Sequence, residues 1–413
     1  MKKIWNKKSQ AEIKEKIFEA LNKNVNYGDQ VTLGIPASYL DDKVFNQDAS
    51  FLIDAPYIST LVKNPNHIGC HTVGSSEPFF EGTQAIEREL IEICAVDILQ
   101  GELGEQDGYV ASGGTEANMQ AIWIYRNYYM RQFKARVDEI AILCSADSHY
   151  SMDKAANILC LDIFKIEVSE DNRAMSETGI VEKLLEAKNR GKKYFIVVCN
   201  MMTTMFGSID DVELLVKCLN EFSCEFKIHV DGAYGGFYYP FSSIENSLSF
   251  KNKYITSFTL DAHKMAQAPY GTGLFIIRKS WIQFAATLEA SYVKGEDCTL
   301  IGSRSGANAV AVWMILSKNG PYGWNEKVFI LQKRTDWFCQ RLDELNVKYY
   351  RNPFANIVAI RAKFLKLDVC QKFGLVPDDH HLPKWYKVVI MDHVTIEKLE
   401  VLVNEISRIM QST

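Results

Sequence analysis

A chain of 413 residues can bury a large core and divide into two or three units. With 47% hydrophobic and 23% charged residues and a net charge of −5 without a long basic run, it is an ordinary globular composition that gives nucleic-acid binding little support. Ten cysteines without a C-x-x-C pair disfavour a zinc or redox motif, and no signal peptide or apolar run of ~20 residues is visible, so a cytoplasmic, reduced protein is expected.

In chain order, residues 9–24 read as a helix, with Ser9 as its cap and Ile13, Ile17, Phe18 and Leu21 as its apolar stripe. Residues 25–60 look irregular, with a short helix near 38–45. Residues 63–83 read as a long loop carrying His67 and His71, and such a loop needs a reason to be long. A helix follows over 84–100. From Tyr109 a strand runs into the turn Ala111-Ser112-Gly113-Gly114-Thr115, which opens a helix over 116–133. Free N–H groups and the helix dipole favour an anion at Gly114, and Thr115 can add a hydroxyl. The pattern is neither G-x-G-x-x-G nor a Walker loop, so a nucleotide is disfavoured. Glu116 is assigned to the first helical turn.

A strand over 139–144 leads to Ser148-His149-Tyr150-Ser151, placing His149 just past a strand end. Strands at 161–166 and 194–199 enclose a helix at 176–189. This alternation predicts right-handed crossovers and a mainly parallel sheet. Thr203 and Thr204 again follow a strand end. Asp210 and Asp211 read as caps of a helix over 212–222 rather than as a metal or acid–base pair.

Two later strand ends carry the chemistry. Asp231 closes the apolar run before Gly232-Ala233, at the kind of edge where open α/β sheets bind ligands. The small residues let a flat ring approach the backbone. The next strand ends in Asp261-Ala262-His263-Lys264, within an apolar, Gly-containing surround. Burial lowers an ammonium's pKa, and a neutral amine attacks carbonyls, so Lys264 is a candidate Schiff-base lysine. An Asp and a Lys on adjacent strand ends form the pairing that a pyridoxal 5'-phosphate (PLP) site requires, the Asp keeping the pyridine nitrogen protonated.

Beyond these lie a strand over 274–277, a polar stretch 289–297 containing Tyr292, and Gly302-Ser303-Arg304-Ser305-Gly306 opening a helix over 307–316. Residues 319–323 read as a break. A helix over 324–345 follows, then strands near 347–350, 357–361 and 385–391 and a helix over 395–410. His380-His381 lacks further ligands at metal spacing and reads as a surface loop; no metal site is expected.

Taken in order, Ser112–Asn118, Ser148–Ser151, Thr203-Thr204 before Gly207, His229–Ala233, Asp261–Lys264 and Gly302–Gly306 resemble the group II PLP-dependent amino-acid decarboxylases. The resemblance spans about residues 64–320. It implies an α/β fold of type I, PLP-dependent transferase-like, with a mainly parallel central sheet and a small C-terminal domain. The divisions expected are an N-terminal segment 1–62, a PLP-binding domain 63–305 and a small domain 306–413. It implies a homodimer with shared active sites, no nucleic-acid or membrane partner, and an N-terminal segment wrapped on the second subunit. Cofactor contacts are implied at Gly114, Thr115, His149, Thr204, Asp231, Ala233, His263 and Lys264. His149 would stack on the ring, and Tyr292 or His149 would protonate Cα. His67 would line the substrate mouth. Arg304 would grip the substrate carboxylate or stabilise its own region.

Within the family the motifs look most like archaeal-type tyrosine/aspartate decarboxylases, so tyrosine or aspartate is the substrate expected, with histidine or glutamate behind them. Gly232 departs from the Ala usual after the Asp. A carbon–carbon lyase of the sphingosine-phosphate-lyase type and a non-catalytic binding protein are the competing readings.

Overall fold

The structure, a computed structural model, describes residues 4–27, 30, 32–34, 39–73, 78–243, 245–286 and 297–411. Helix α1 (Gln10–Lys23) begins where expected. Ser9 Oγ accepts from the Glu12 N–H at 3.3 Å, and the Glu12 carboxylate accepts from the Ser9 N–H at 2.7 Å. This reciprocal cap satisfies two otherwise orphaned donors. Ile13, Ile17 and Ala20 are buried, whereas Phe18 and Leu21 are half-buried. Residues 39–45 form turns instead of the expected short helix, and α2 (Pro56–Lys63) follows.

The stretch expected as loop contains a short strand, β1 (Asn66–Ile68), before α3 (Glu81–Glu92). Helix α3 continues as a π-helical turn over Ile93–Ile98 and packs against α1 within the same chain. A Cβ on Gly82 would stand 1.9 Å from the Ala20 carbonyl oxygen, so this helix contact requires glycine.

The central layer then forms in alternation: β2 (Gln106–Ala111), α4 (Gly114–Gln132), β3 (Ile140–Ser145), α5 (Ser151–Leu159), β4 (Asp162–Ile166), α6 (Glu177–Asn189), β5 (Tyr194–Asn200), α7 (Val212–Glu221) and β6 (Glu225–Gly232). The short α8 (Tyr239–Ser242), β7 (Ile255–Asp261) and β8 (Gly273–Arg278) complete it. The strand order is β2-β8-β7-β6-β5-β3-β4. Every neighbouring pair from β7 to β4 is parallel, while β8 runs antiparallel to both β2 and β7. That reversed strand follows from the short link after Lys264, which has no room for a crossover helix. Strands β2, β3, β5, β6 and β7 therefore all end at one edge of the sheet. Of these, β2, β3, β5 and β7 are buried on both faces, which explains their continuous apolar runs, and β6 is buried over its second half.

Strand β9 (Ser303–Ser305) pairs antiparallel with β1, placing His67 opposite Arg304. Helix α9 (Gly306–Glu344) merges the two expected helices across a kink at Gly320, whose φ is 64°, followed by Pro321. Proline has no N–H, and a non-helical residue breaks the ladder, so carbonyls one turn earlier are freed. The N-terminal segment takes them: Lys8 N donates to Ser317 O at 2.8 Å and Trp5 Nε1 to Leu316 O at 2.8 Å.

A second, antiparallel sheet of order β10-β11-β13-β12 holds β10 (Tyr349–Tyr350), β11 (Ile357–Arg361), β12 (Val376–Pro377) and β13 (Trp385–Val389), flanked by α10 (Leu367–Lys372) and α11 (Ile396–Gln411). Its Ile357, Val358 and Val388 share one apolar cluster with Phe237 and Trp324. The small sheet is thereby fixed against the large layer. No described helix is long and apolar enough to cross a membrane.

Candidate active site

A cavity of about 330 Å³ opens at the edge where the parallel strands end. Gly114 and Thr115 at the start of α4, His149 beyond β3, Thr204 beyond β5, Asp231 and Ala233 beyond β6, and His263 and Lys264 beyond β7 all line it. The sheet topology thus gathers residues 150 positions apart because each occupies an equivalent place in its βα unit.

Asp231 is buried and held on both oxygens. Asn118 Nδ2 donates to Oδ2 at 2.9 Å, and the Ala233 N–H donates to Oδ1 at 3.1 Å. Asn118 also donates to Ser151 Oγ at 3.1 Å, and its Oδ1 accepts from His229 Nε2 at 2.9 Å. Burial pushes His229 down to about 4, so the ring is neutral at pH 7. Its Nδ1 accepts from Ser257 Oγ at 2.7 Å.

His149 joins the same network. The Ser151 N–H donates to its Nδ1 at 3.2 Å, and Ser151 Oγ lies 2.9 Å from that atom. A backbone N–H can only donate, so the proton of the neutral ring sits on Nε2. Burial lowers the pKa of His149, against the pull of Asp231. Asn118, quoted in the Ser112–Asn118 motif without a role of its own, thus links Asp231 to His149.

Lys264 differs from its expected apolar burial. Its side chain is 36% exposed, and Nζ lies 3.0 Å from Asp261 Oδ2. Asp261 is itself buried, and burial pushes its carboxyl above the usual range despite Lys264 and His263 beside it. His263 Nε2 lies 3.6 Å from the same oxygen. Asp261 Oδ1 and His263 Nδ1 are buried without a partner.

The turn expected to receive an anion is shaped for close approach. A Cβ on Gly114 would come within 2.8 Å of Asp261 Oδ2 and 3.2 Å of Ala233 Cβ. Glu116 braces the turn, accepting from the Ser112 N–H at 2.7 Å and from Tyr109 OH at 3.2 Å. Thr203 Oγ1 bonds to Ser208 Oγ at 2.7 Å, which leaves Thr204 the exposed hydroxyl of that pair. Asp211 caps α7 as expected, with Glu213 and Leu214 N–H groups donating to it. Asp210 does not: it is buried, accepts from both the backbone and side-chain amides of Asn200, and is pushed up to about 7 by burial.

His67 and Arg304 do not line this cavity: His67 does not make the expected substrate contact there, and Arg304 takes the other of its two expected parts, stabilising its own region. Both are buried around Glu87. His67 Nδ1 lies 2.5 Å from Glu87 Oε2, and Arg304 donates to Glu87 Oε1, Val110 O and Gly69 O. Glu87 also accepts from the Val110 N–H at 2.8 Å. Desolvation opposes charge on Glu87, yet Arg304 and His67 hold its carboxyl well below the usual range. His71 stands 3.6 Å from Glu87, and burial pushes it down to about 3. His67, His71 and Glu87 have the spacing of metal ligands, but the Arg304 guanidinium already supplies the positive charge there. Tyr292 lies outside the described residues. A residue with no sequence signal, Lys387 of β13, reaches the cavity rim and donates to Thr204 O at 2.8 Å. Burial, reinforced by Lys264, lowers its pKa.

These residues fit pyridoxal phosphate. A buried carboxylate, an amine on the adjacent strand, unpartnered polar atoms beside that amine, and a side-chain-free helix start occupy one cavity. Comparison with known proteins agrees. The model of the pyridoxal-dependent decarboxylase conserved domain matches residues 86–344. A tryptophan decarboxylase from Clostridium sporogenes is 49% identical over 407 residues, covering 98% of each chain. A probable L-aspartate decarboxylase from Pyrococcus abyssi is 30% identical, covering 80% of this chain and 83% of its own. Among solved structures, L-methionine decarboxylase from Streptomyces sp. 590 overlays with a TM-score of 0.70 at 20% identity, covering 83% of this chain and 86% of its own. A sphingosine-1-phosphate lyase from Burkholderia pseudomallei gives 0.67 at 17% identity, covering 80% and 77%. The two overlays show fold type I, which decarboxylases and lyases share, whereas the domain match and the sequence relatives separate them. The chain belongs to the pyridoxal-dependent decarboxylase family and is a PLP-dependent amino-acid decarboxylase.

Proposed function

We propose that this decarboxylase acts on aromatic L-amino acids, tryptophan first, releasing carbon dioxide and the primary amine. The observation that carries the reading is the 49% identity to a tryptophan decarboxylase along nearly the whole of both chains. Relatives named for aspartate or for tyrosine/aspartate stand at 26–30%. The expectation of tyrosine or aspartate gives way for that reason. Charge supports the change. An acidic side chain needs a cation of its own, yet among the described residues the only Lys or Arg lining the cavity is Lys264. Lys387 at the rim can serve one carboxylate, the α-carboxylate, and leaves no other among the described residues for a second.

Each residue's part follows from its position. Lys264 would anchor the cofactor through its amine, Asp231 would hold the proton on the ring nitrogen, and Gly114 with Thr115 would receive the phosphate. His149 would lie against the ring, with Thr204, Ala233 and His263 bounding it. When bound, pyridoxal phosphate supplies a conjugated electron sink that permits loss of the carboxylate from Cα. His149 presents a proton at Nε2 to the cavity; Tyr292 is the second candidate donor to Cα.

We also read the chain as a cytoplasmic homodimer. Exposed apolar side chains concentrate between residues 33 and 61, among them Leu33 at 90%, Val44 at 71% and Ile53 at 68%. So much exposed apolar surface in one segment favours a protein partner, and light scattering distinguishes a dimer from a monomer. All ten cysteines are free, as a reducing compartment allows.

The test is carbon dioxide release by the PLP-loaded protein across tryptophan, phenylalanine, tyrosine, aspartate, glutamate, histidine and serine. The highest kcat/KM is expected for tryptophan. A preference for aspartate or glutamate would overturn the reading.

A further inference from the structure

Between β4 and α6 the chain forms a tight hairpin whose arms meet at the Val168–Met175 bridge. Within it Ser169 N donates to Ala174 O at 2.9 Å, and Arg173 N donates to Ser169 O at 2.9 Å. Arg173 has a φ of 55°. That left-handed conformation is unfavourable for a residue with a Cβ, and glycine or asparagine is the ordinary occupant. An arginine held there calls for a compensating contact.

Its guanidinium supplies two. Nε donates to Asp147 Oδ2 at 2.9 Å, and a second nitrogen donates to Asp147 Oδ1. The pair is largely shielded, with side-chain exposures of 13% and 12%. This two-point geometry fixes orientation as well as charge. The guanidinium carbon also lies 4.0 Å from the centre of the Phe206 ring.

Both contacts lead to the cavity. Asp147 lies two residues before His149, in the turn where the Asp147 N–H donates to Ser145 Oγ at 3.1 Å. Phe206 lies two residues after Thr204, in the turn closed by Thr203 and Ser208. Its ring meets Tyr350 and Trp385 of the small sheet edge-on, at 5.9 and 5.7 Å. Arg173 itself does not line the cavity.

We propose that Arg173 is a positioning residue for the cofactor site, holding the His149 turn through Asp147 and the Thr203–Thr204 turn through Phe206. The proposal rests on the reading of His149 and Thr204 as cofactor contacts. It differs from a merely structural ion pair in what its removal disturbs.

The experiment titrates pyridoxal phosphate into the apo-proteins of Arg173→Gln, Arg173→Lys, Asp147→Asn and the Asp147→Asn/Arg173→Gln double variant, following cofactor absorbance. Melting temperature, kcat and KM are recorded beside it. Arg173→Gln and Asp147→Asn are each expected to weaken cofactor affinity and lower kcat about ten-fold. The double variant should be no worse than Arg173→Gln alone, because Asp147 acts only through Arg173. Lysine keeps the charge without the fork, so Arg173→Lys should fall between wild type and Arg173→Gln. Arg173→Gly relieves the backbone strain and guards against failure to fold. It should melt near wild type yet show the same cofactor defect.

Unchanged cofactor affinity and kcat, with only a lower melting temperature, would overturn the proposal. His149→Ala separates the two readings. If it weakens cofactor binding and Arg173→Gln does not, the proposal falls and the reading of His149 stands. If Arg173→Gln weakens binding and His149→Ala does not, the reading of His149 falls and takes the Asp147 arm of the proposal with it.

Discussion

Two groups of buried charge lie in this molecule, one around Glu87 and one around Asp261, and they behave in opposite ways. Glu87 accepts from Arg304, His67 and the Val110 N–H, and its carboxyl stays ionised despite complete burial. Asp261 has Lys264 and His263 beside it, keeps one oxygen without a partner, and is pushed above its usual range. The first group fills its space with its own cation, Arg304, and with neutral donors. The second faces a cavity of about 330 Å³. Charge alone therefore does not mark an active site; charge left with spare bonding capacity beside a cavity does.

Breaking the open group should abolish activity. Lys264→Ala removes the only amine among the described residues lining the cavity, and carbon dioxide release from the PLP-reconstituted variant should fall to background. Retained turnover in a clean preparation would sink the assignment of Lys264.

Breaking the closed group should damage stability instead. Arg304→Met leaves the Glu87 carboxylate buried beside histidines that burial keeps neutral, and such losses are about 3–5 kcal/mol. Denaturant melts of Arg304→Met and Glu87→Gln/Arg304→Met test this, the double variant being expected to recover part of the loss. A specific rise in KM with unchanged stability would return Arg304 to the substrate.

Acid should sharpen the contrast. His229 is held at about 4, below its ordinary 6.5, so the unfolded chain binds a proton over that window and the folded chain does not. The stability this gives is full above pH 6.5 and is lost as pH falls towards 4, by at most about 1.4 kcal/mol per unit. Asp210 slopes the other way: raised from 3.8 to about 7, it gives stability at low pH that is lost as pH rises through 7. The difference between wild type and His229→Asn isolates the histidine. An identical pH dependence in both would contradict it. At the smallest scale, Ser9→Ala removes only the exposed cap of α1 and should cost about 1 kcal/mol of stability with kcat unchanged.

Much of the open group was legible because each member follows a strand end with its own local signal: a Gly-rich turn at Gly114, an Asp after an apolar run, a Lys after a second one. The parallel sheet needed only strand–helix alternation. What escaped depended on distance. Arg304 and Glu87 lie 217 residues apart, and nothing near either one signals the other. The same holds for Asn118 beneath Asp231 and for Lys387, which arrives from a different sheet. His67 looked like a loop residue because a three-residue strand paired across the chain has no periodicity to reveal it. Asp210 and Asp211 are adjacent in sequence, and only the fold decides that one caps a helix while the other turns inward.

The kink in α9 has a bearing on how the molecule is made. Trp5 completes the broken ladder by bonding to a carbonyl 311 residues further on. During synthesis that indole leaves the ribosome long before Leu316 exists, so its segment waits for 311 further residues before it can be fastened. Until then the freed carbonyls of the kink have only water as a partner, and the closing of this seam reports that the chain has been made at least as far as the kink.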